Sequence, residues 1–403
     1  MSTKGMPEKW TMARIGWLFQ PISDRGHEDA MVLSVYRDHG VIPKDSRTDN
    51  FNRTPENLSN YQLVRPGDLV VNRMKAWQGS LGISEYEGIV SPDYEVLRPI
   101  AHGYDGRFVH NLLRSRGLID QYALRSTGIR PSQWRLYWDE MKTIEVSLPS
   151  VDEQRAIAEY LDRETARIDT LIEEQQRLIE MLSERRVATV AETLDGPERT
   201  QVRRLVNHDR PMTYGILQCG EPVDGGVVYI GPSDIQGEGL SPDRDALRTT
   251  APEIASAYKR SVLKSGDVVV SIGPAYGKVA VVSDDLTGAN LTQDTVRVAL
   301  RPDLVDTRFF VWALLSRQTA EYWDYQIMGA TFRRLNLGTL ARTPIPLPAI
   351  QEQRRIAAYL DEQTAKIDSL IAETERFIDL ARERRSALIT AAVTGQVDVR
   401  EAA

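Results

Sequence analysis

The sequence predicts an α+β chain in which two duplicated α+β domains are each followed by a long helix. The two helices are expected to pack antiparallel as a coiled-coil-like pair with pseudo-twofold symmetry. Three observations predict this. The chain repeats itself at an offset of 199 residues: over 148–186 against 347–385, 22 of 39 aligned positions are identical, far beyond chance. The repeated stretches carry apolar residues at helical spacing with no internal Gly or Pro. The stretches before them are short β-like runs separated by turn residues.

Residues 1–149 form the expected first domain, with β-like runs at 31–36, 67–72, 94–97 and 143–146 and one helical stretch at 107–122. The first helical spacer spans 150–194. Leu148-Pro149 ends an extended segment, because Pro confines the residue before it to extended geometry, and Ser150 or Asp152 can cap the helix that follows. Ile157, Leu161, Ile168, Leu171, Ile172, Leu178, Ile179 and Leu182 then make an apolar stripe. In heptads Ile168 and Leu182 fall at a, Leu171 and Leu178 at d, Ile172 and Ile179 at e, and Gln175 is the polar a position. Residues 195–348 form the second domain, with β-like runs at 227–230, 267–270, 279–282 and 295–298 and a helical stretch at 308–322. Residues 349–403 supply the second spacer helix and a C-terminal tail. The helical copies stayed alike while the domains diverged, which implies a shared mechanical role for the helices and two different recognition tasks for the domains.

Composition narrows the function classes. The chain has 403 residues with 50 Lys+Arg against 57 Asp+Glu, a net charge of −7, which at first sight disfavours a polyanionic partner. Divided by segment, 1–149 carries +1, 150–194 carries −5, 195–348 carries −1, 349–394 carries −1 and 395–403 carries −1. The acid lies mainly in the first helix, and near-neutral domains can still present a basic face. Cys219, alone, excludes an intramolecular disulfide and fits a reducing cytosol. No run is long and apolar enough for a membrane span and the first residues lead into no apolar signal segment, so a cytoplasmic location is expected.

Two clusters per domain have the chemistry for nucleic acid. The first domain offers Arg73-Met74-Lys75-Ala76-Trp77-Gln78-Gly79 and Arg125-Ser126-Thr127-Gly128-Ile129-Arg130-Pro131-Ser132-Gln133-Trp134-Arg135. The second offers Pro274-Ala275-Tyr276-Gly277-Lys278 and Gly329-Ala330-Thr331-Phe332-Arg333-Arg334-Leu335-Asn336. Arg and Lys pair with guanine or phosphate, Gln and Asn with adenine, and Ser/Thr with either. Solvated turns over a packed aromatic are the plainer alternative. Catalytic patterns are missing. The segment 271–279 has three residues between its glycines where a phosphate-binding loop needs four, and Val279 stands where that loop has Ser/Thr. Ser91-Pro92-Asp93-Tyr94 lacks the amide and second proline of an adenine methyltransferase loop. The five histidines have no metal-ligand spacing.

Two divergent domains, each ended by Leu-Pro-x-x-x-Glu-Gln-Arg-x-Ile-Ala-x-Tyr-Leu-Asp and a long helix with Ile-Asp-x-Leu-Ile, resemble the specificity subunit of type I restriction–modification systems. The segment 67–79 is similar to the target recognition domains of that family. The resemblance covers essentially the whole chain. It implies two target recognition domains, each reading one half of a bipartite DNA site about one helical turn apart. It also implies helices that set the spacer and dock two methyltransferase subunits. S-adenosylmethionine then belongs to the methyltransferase partner, ATP and magnesium to a restriction partner, and no cofactor, metal or catalytic residue to this chain. The implied DNA contacts are Arg73, Lys75, Trp77, Gln78, Arg130 and Gln133 in the first domain and Tyr276, Lys278, Thr331, Arg333, Arg334 and Asn336 in the second. Partner docking is expected around Glu153, Gln154, Arg155, Tyr160 and Asp169, and around Glu352, Gln353, Arg354, Tyr359 and Asp368. Capping and dipole compensation also account for Glu153 and Gln154. The DNA-recognition subunit of a fused restriction–methylation enzyme, a coiled-coil scaffold that binds no DNA, and a self-sufficient nuclease or methyltransferase remain as alternatives.

Overall fold

The computed structural model describes residues 10–37, 39–46, 54–100, 103–130, 133–196, 198–328 and 333–399. The chain forms two compact units, Met1–Gln176 with Arg376–Ala403 and Arg177–Glu375. Each therefore contains one recognition-type domain and a part of both long helices.

The first unit is built on a four-stranded antiparallel sheet ordered Phe19–Ile22, Tyr94–Pro99, Leu69–Asn72, Leu81–Ile83. The second repeats it as Thr213–Tyr214, Thr295–Val298, Val268–Ser271, Val279–Val281. The central strands are apolar at successive positions because both faces are covered. Leu69 and Val71 join the large core under the helices while Val70 joins a smaller core with Leu33, Val35 and Val41. Val268 and Val270 against Val269 divide in the same way. A short two-stranded sheet, Thr11–Arg14 with Glu145–Leu148 and Arg199–Gln201 with Pro344–Pro346, ties the start of each domain to the strand that leads into its long helix.

The helical stretches expected at 107–122 and 308–322 are each two helices. They run Gly106–Leu113 and Arg116–Arg125 in the first unit and Thr307–Leu315 and Arg317–Ile327 in the second. Serine makes both breaks. Ser115 (φ −65°, ψ 149°) and Ser316 (φ −66°, ψ 150°) are extended and stand at the N-cap of the next helix. The Ser316 hydroxyl accepts the Thr319 N–H, the local bonding by which serine competes with helix continuation.

The long helices span Val151–Thr193 and Ile350–Val393. Ser150 caps the first through its hydroxyl, 3.3 Å from the Glu153 N–H. Within each unit the helices run antiparallel. In the first, Ile157, Ala158 and Leu161 share a core with Ala392 and Val393, and Arg385 pairs bidentately with Asp169 at 2.8 and 3.1 Å. In the second, Val190 and Leu194 share a core with Ala357 and Leu360, and Arg186 holds Asp368 at 2.8 and 3.3 Å. The seam differs from the a/d heptads expected. On the second helix Ile367, Thr374, Ile378 and Ala381 are buried while Leu370 and Phe377, which the repeat aligns with the d positions Leu171 and Leu178, are 49% and 43% exposed. Two paired helices cover only a narrow stripe of each other, and here it runs through a and e.

The repeated motif explains itself at the domain–helix joint. Gln154 and Gln353 are buried. Each Oε1 accepts the backbone N–H of an aspartate, Asp105 or Asp306, at 2.9 Å. Each Nε2 donates to the carbonyl of the motif proline, Pro149 at 2.9 Å or Pro348 at 2.8 Å, and Gln353 adds the Leu304 carbonyl at 3.0 Å. Asp105 and Asp306 in turn cap Gly106–Leu113 and Thr307–Leu315. Arg107 and Arg308 on those helices reach the motif aspartates, Asp162 and Asp361, both at 2.7 Å. Among the described residues no helix is long and apolar enough to cross a membrane.

Gln353→Ala strands one buried N–H and two carbonyls, so chemical denaturation is expected to show a loss of about 2–3 kcal/mol; a loss within measurement error would contradict the joint. A second prediction concerns His110. Its Nδ1 accepts the Ile83 N–H at 3.2 Å, and burial first, then Arg114, push its pKa down to about 4. The unfolded chain takes up that proton near the ordinary histidine value of about 6.5, so stability falls as pH drops from there toward about 4, by on the order of 3 kcal/mol. In His110→Gln, denaturation curves between these pH values should lose that slope, and an unchanged slope would exclude His110 as its source.

Candidate nucleic-acid interface

In the first unit the strand Leu69–Asn72 ends in a tight turn. The Asn72 Oδ1 accepts the Met74 N–H at 3.1 Å, and Ala76–Gln78 makes one 3-10 turn with Ala76 buried. Gly79 closes it at φ +92°, a left-handed conformation that favours glycine, and packs against the end of the Ile119 side chain. The turn leaves Lys75 and Gln78 exposed and Trp77 half-buried, its indole N–H on the Met74 carbonyl at 3.0 Å.

The second cluster of this unit is a loop whose ends, Thr127 and Arg135, exchange backbone hydrogen bonds at 3.1 and 2.9 Å. Arg130 and Gln133 are exposed. Trp134 meets Trp77 edge-on, ring centroids 5.5 Å apart, and the Leu136 N–H donates to the Arg73 carbonyl at 2.9 Å. Two segments far apart in sequence thus form one ridge carrying Lys75, Gln78, Arg130 and Gln133. Arg73 is engaged beneath it, donating to the Pro92 and Asp93 carbonyls at 2.7 and 3.1 Å and lying 3.8 Å from Glu95, whose carboxyl burial pushes up and Arg73 pulls back.

The second unit repeats the construction with other chemistry. The Ser271 hydroxyl donates to the Ala275 carbonyl at 2.7 Å and accepts the Lys278 N–H at 2.9 Å. Segment 271–279 is therefore a hairpin turn into Val279–Val281, not a loop opening a helix, and it has no phosphate-cradle geometry. Gly277 is left-handed at φ +89° and sits over Trp323. The Leu335 N–H donates to the Ile272 carbonyl at 3.0 Å, the same bond as Leu136 to Arg73 displaced by 199 positions. Tyr276 donates its hydroxyl to Asp324 at 2.5 Å. That bond first, with burial second, raises the phenol pKa. Arg333, largely exposed, lies 3.9 Å from the same carboxylate. Lys278 is exposed with its Nζ 3.2 Å from the Pro232 carbonyl. Arg334 pairs with Asp294 at 2.6 Å. Asn336 is the N-cap of Leu337–Arg342, its Oδ1 on the Thr339 N–H at 2.8 Å. Thr331 lies outside the described residues.

Charge-led reasoning passed over four side chains beside these ridges. Ile129 is 95% exposed, Leu124 78%, Tyr325 71% and Met328 74%. Leu124 and Tyr325 occupy matching places near the ends of Arg116–Arg125 and Arg317–Ile327. Both stand off the buried stripes of their helices, Leu118 and Tyr122 in one and Thr319, Trp323 and Ile327 in the other, a spacing that already signals exposure in the sequence.

On the long helices, Glu153 accepts the Trp10 indole N–H at 3.3 Å and Glu352 pairs with Arg355 at 2.6 and 2.8 Å. Arg155 lies 3.4 Å from Asp152, and Arg354, largely exposed, lies 3.9 Å from Asp306. Tyr160 is half-buried with Arg163 over its ring, and Tyr359 is exposed. Gln154 and Gln353 serve the joint, and Asp169 and Asp368 the helix pair. No cluster of three or more His, Cys, Asp or Glu side chains able to hold a metal occurs among the described residues.

Residues 222–376 match the type I restriction modification DNA specificity domain. The chain is 23% identical over 410 residues to the type I restriction enzyme EcoBI specificity subunit of Escherichia coli, covering 95% of this chain and 83% of that one. It is 21% identical over 421 residues to the MjaVIII specificity subunit of Methanocaldococcus jannaschii, covering 98% and 94%. Two solved structures share the fold. One is a chain from a study of complex assembly and conformational transition of the type I R-M system, at TM-score 0.74 and 16% identity, with 97% of this chain and 99% of that chain covered. The other is the HsdS subunit from Thermoanaerobacter tengcongensis, at TM-score 0.60 and 16% identity, with 98% and 99% covered. The duplicated domains and paired long helices thus occur in a chain that matches a type I restriction modification DNA specificity domain over 222–376 and is similar over nearly its whole length to specificity subunits of type I restriction enzymes.

Proposed function

We propose that this chain is the non-catalytic DNA-recognition subunit of a type I restriction–modification complex in a bacterial or archaeal cytoplasm. Each domain reads one half of a bipartite site and the long helices set the spacing between halves. The observation that carries this reading is the duplicated ridge. Each domain turns a cationic, amide- or hydroxyl-bearing loop outward at the end of its central strand, on the same backbone frame but with different side chains. Lys75, Gln78, Arg130 and Gln133 are the proposed contacts in the first domain, and Tyr276, Lys278 and Arg333 in the second. Arg73, Arg334 and Asn336 hold their loops in shape.

Two methyltransferase subunits are proposed to dock on the long helices, bringing S-adenosylmethionine, and restriction subunits bring ATP and magnesium. Tyr359 and the d residues Leu171, Leu370 and Phe377 suit this role, since they are apolar and the helix pair leaves them uncovered. The near-neutral domains have little net attraction for phosphate, so the partners supply much of it.

Reconstitution with the cognate methyltransferase should give adenine methylation at one bipartite sequence, mapped genome-wide; methylation with no bipartite preference would refute the assignment. Within that complex, Lys75→Ala and Arg333→Ala should each either lower the salt slope of DNA binding by about 1, as for a lost phosphate contact, or relax one base of one half-site at about 1–3 kcal/mol. A variant that does neither removes that residue from the interface. The double variant Leu171→Asp, Leu370→Asp should keep its circular dichroism and melting but fail to co-purify with the methyltransferase, and intact co-purification would move the docking surface elsewhere.

A further inference from the structure

The two units share a helix–helix ion pair, Asp169 with Arg385 and Asp368 with Arg186, but they differ in what else reaches the arginine. In the second unit Arg186 also takes the carboxylate of Glu238 as a fork, at 3.0 and 2.5 Å. Glu238 lies on a loop of the recognition domain. One guanidinium therefore joins three elements: both long helices and the domain. A second arginine supports the same loop. Arg308 donates to the Glu238 backbone carbonyl at 2.7 Å and to Asp361 at 2.7 Å.

The next residue carries the restraint onward. The Gly239 N–H donates to the Val279 carbonyl at 3.0 Å and its carbonyl accepts the Val281 N–H at 3.2 Å. This places the loop beside the strand that begins immediately after Tyr276 and Lys278. Residues 235–238 and Tyr276–Lys278 also line one open cavity. Arg186 is thus linked, by a fork and two backbone bonds, to the ridge proposed to read DNA.

The first unit has the same frame without the link. Gly40 and Gly239 are both left-handed, at φ +71° and +78°. Each lies against matching positions of the domain helix, His110 and Val311. The residue before Gly40, in the place of Glu238, is His39. Among the described residues, the carboxylate paired with Arg385 is Asp169 alone, and His39, Arg107 and Arg385 line an open cavity.

We propose that Glu238 and Arg186 are positioning residues that lock the second recognition domain to the spacer helices, so that the distance between half-sites is enforced chiefly through the second domain. This rests on the DNA-recognition reading above. A bidentate arginine–carboxylate pair fixes direction as well as distance, which a single lysine contact does not. Neutralising Glu238 removes the fork but leaves the helix pair, because Asp368 remains on Arg186.

The test uses the reconstituted complex with its methyltransferase and duplexes carrying both half-sites at the native gap and at gaps one and two base pairs shorter or longer. In the Glu238→Gln complex, the preference for the native gap over a gap changed by one base pair is expected to fall by roughly tenfold, with the bases of both half-sites unchanged. Arg186→Lys, which keeps the charge and loses the fork, should do the same. His39→Glu, which places a carboxylate opposite Arg385, should sharpen the gap preference. A native gap profile in both Glu238→Gln and Arg186→Lys overturns the lock, and so does relaxation of base choice in place of gap choice. If the unaltered complex has no bipartite preference, the DNA-recognition reading fails instead.

Discussion

The fold of each unit depends on one buried glutamine side chain. A long helix attached only by its chain connection would swing, since the Leu-Pro link is extended and the helix buries apolar residues only on one stripe. Gln154 and Gln353 stop this by bonding both ways: the carbonyl end satisfies the N–H of the residue that caps the domain helix, and the amide end satisfies the carbonyl of the motif proline. The domain helix and the long helix therefore share an N-terminal junction. No other residue type offers an acceptor and two donors at that reach, and a buried amide with one end unpaired costs more than the bond itself. Retention of this residue in both copies has a physical cause independent of any partner.

Around that joint the duplication separates what must stay from what is free to change. The central strand keeps its apolar residues because both faces are buried. The bond from Leu136 to Arg73, or from Leu335 to Ile272, keeps two loops together through backbone atoms alone. A bond made by backbone atoms does not depend on residue type, so the same position is arginine in one copy, held on the Pro92 and Asp93 carbonyls, and isoleucine in the other, buried in the core. Interfaces that read different sequences on a common scaffold need this separation.

The repeat, the Leu-Pro boundary and the helical stripes are legible in the sequence because they rest on local periodicity. What was not legible depends on tertiary context. Ser115 and Ser316 break helices whose apolar spacing runs on through the break, and a serine in helical spacing is an ordinary sight. The heptads read on the first long helix put Leu171 at d, yet it is 36% exposed, because periodicity gives the angle of a stripe but not which edge of it a single partner helix covers. Arg73 and Asn336 have the residue types of base readers, yet their carbonyl, carboxylate and cap partners are seen only in the fold. Trp77 and Trp134 are 57 positions apart, and no local rule joins them.

The distribution of charge bears on how such a subunit chooses a sequence. Strongly basic domains would hold any duplex by phosphate attraction, and the discrimination between sites would be a small part of a large total. Domains of +1 and −1 hold little by attraction alone, so base contacts make up a larger fraction of what they contribute. An acidic first helix adds to this by repelling stray polyanion from the spacer. Under the proposed function, phosphate attraction falls to the catalytic partners and sequence choice to this chain, so that neither is effective on DNA without the other.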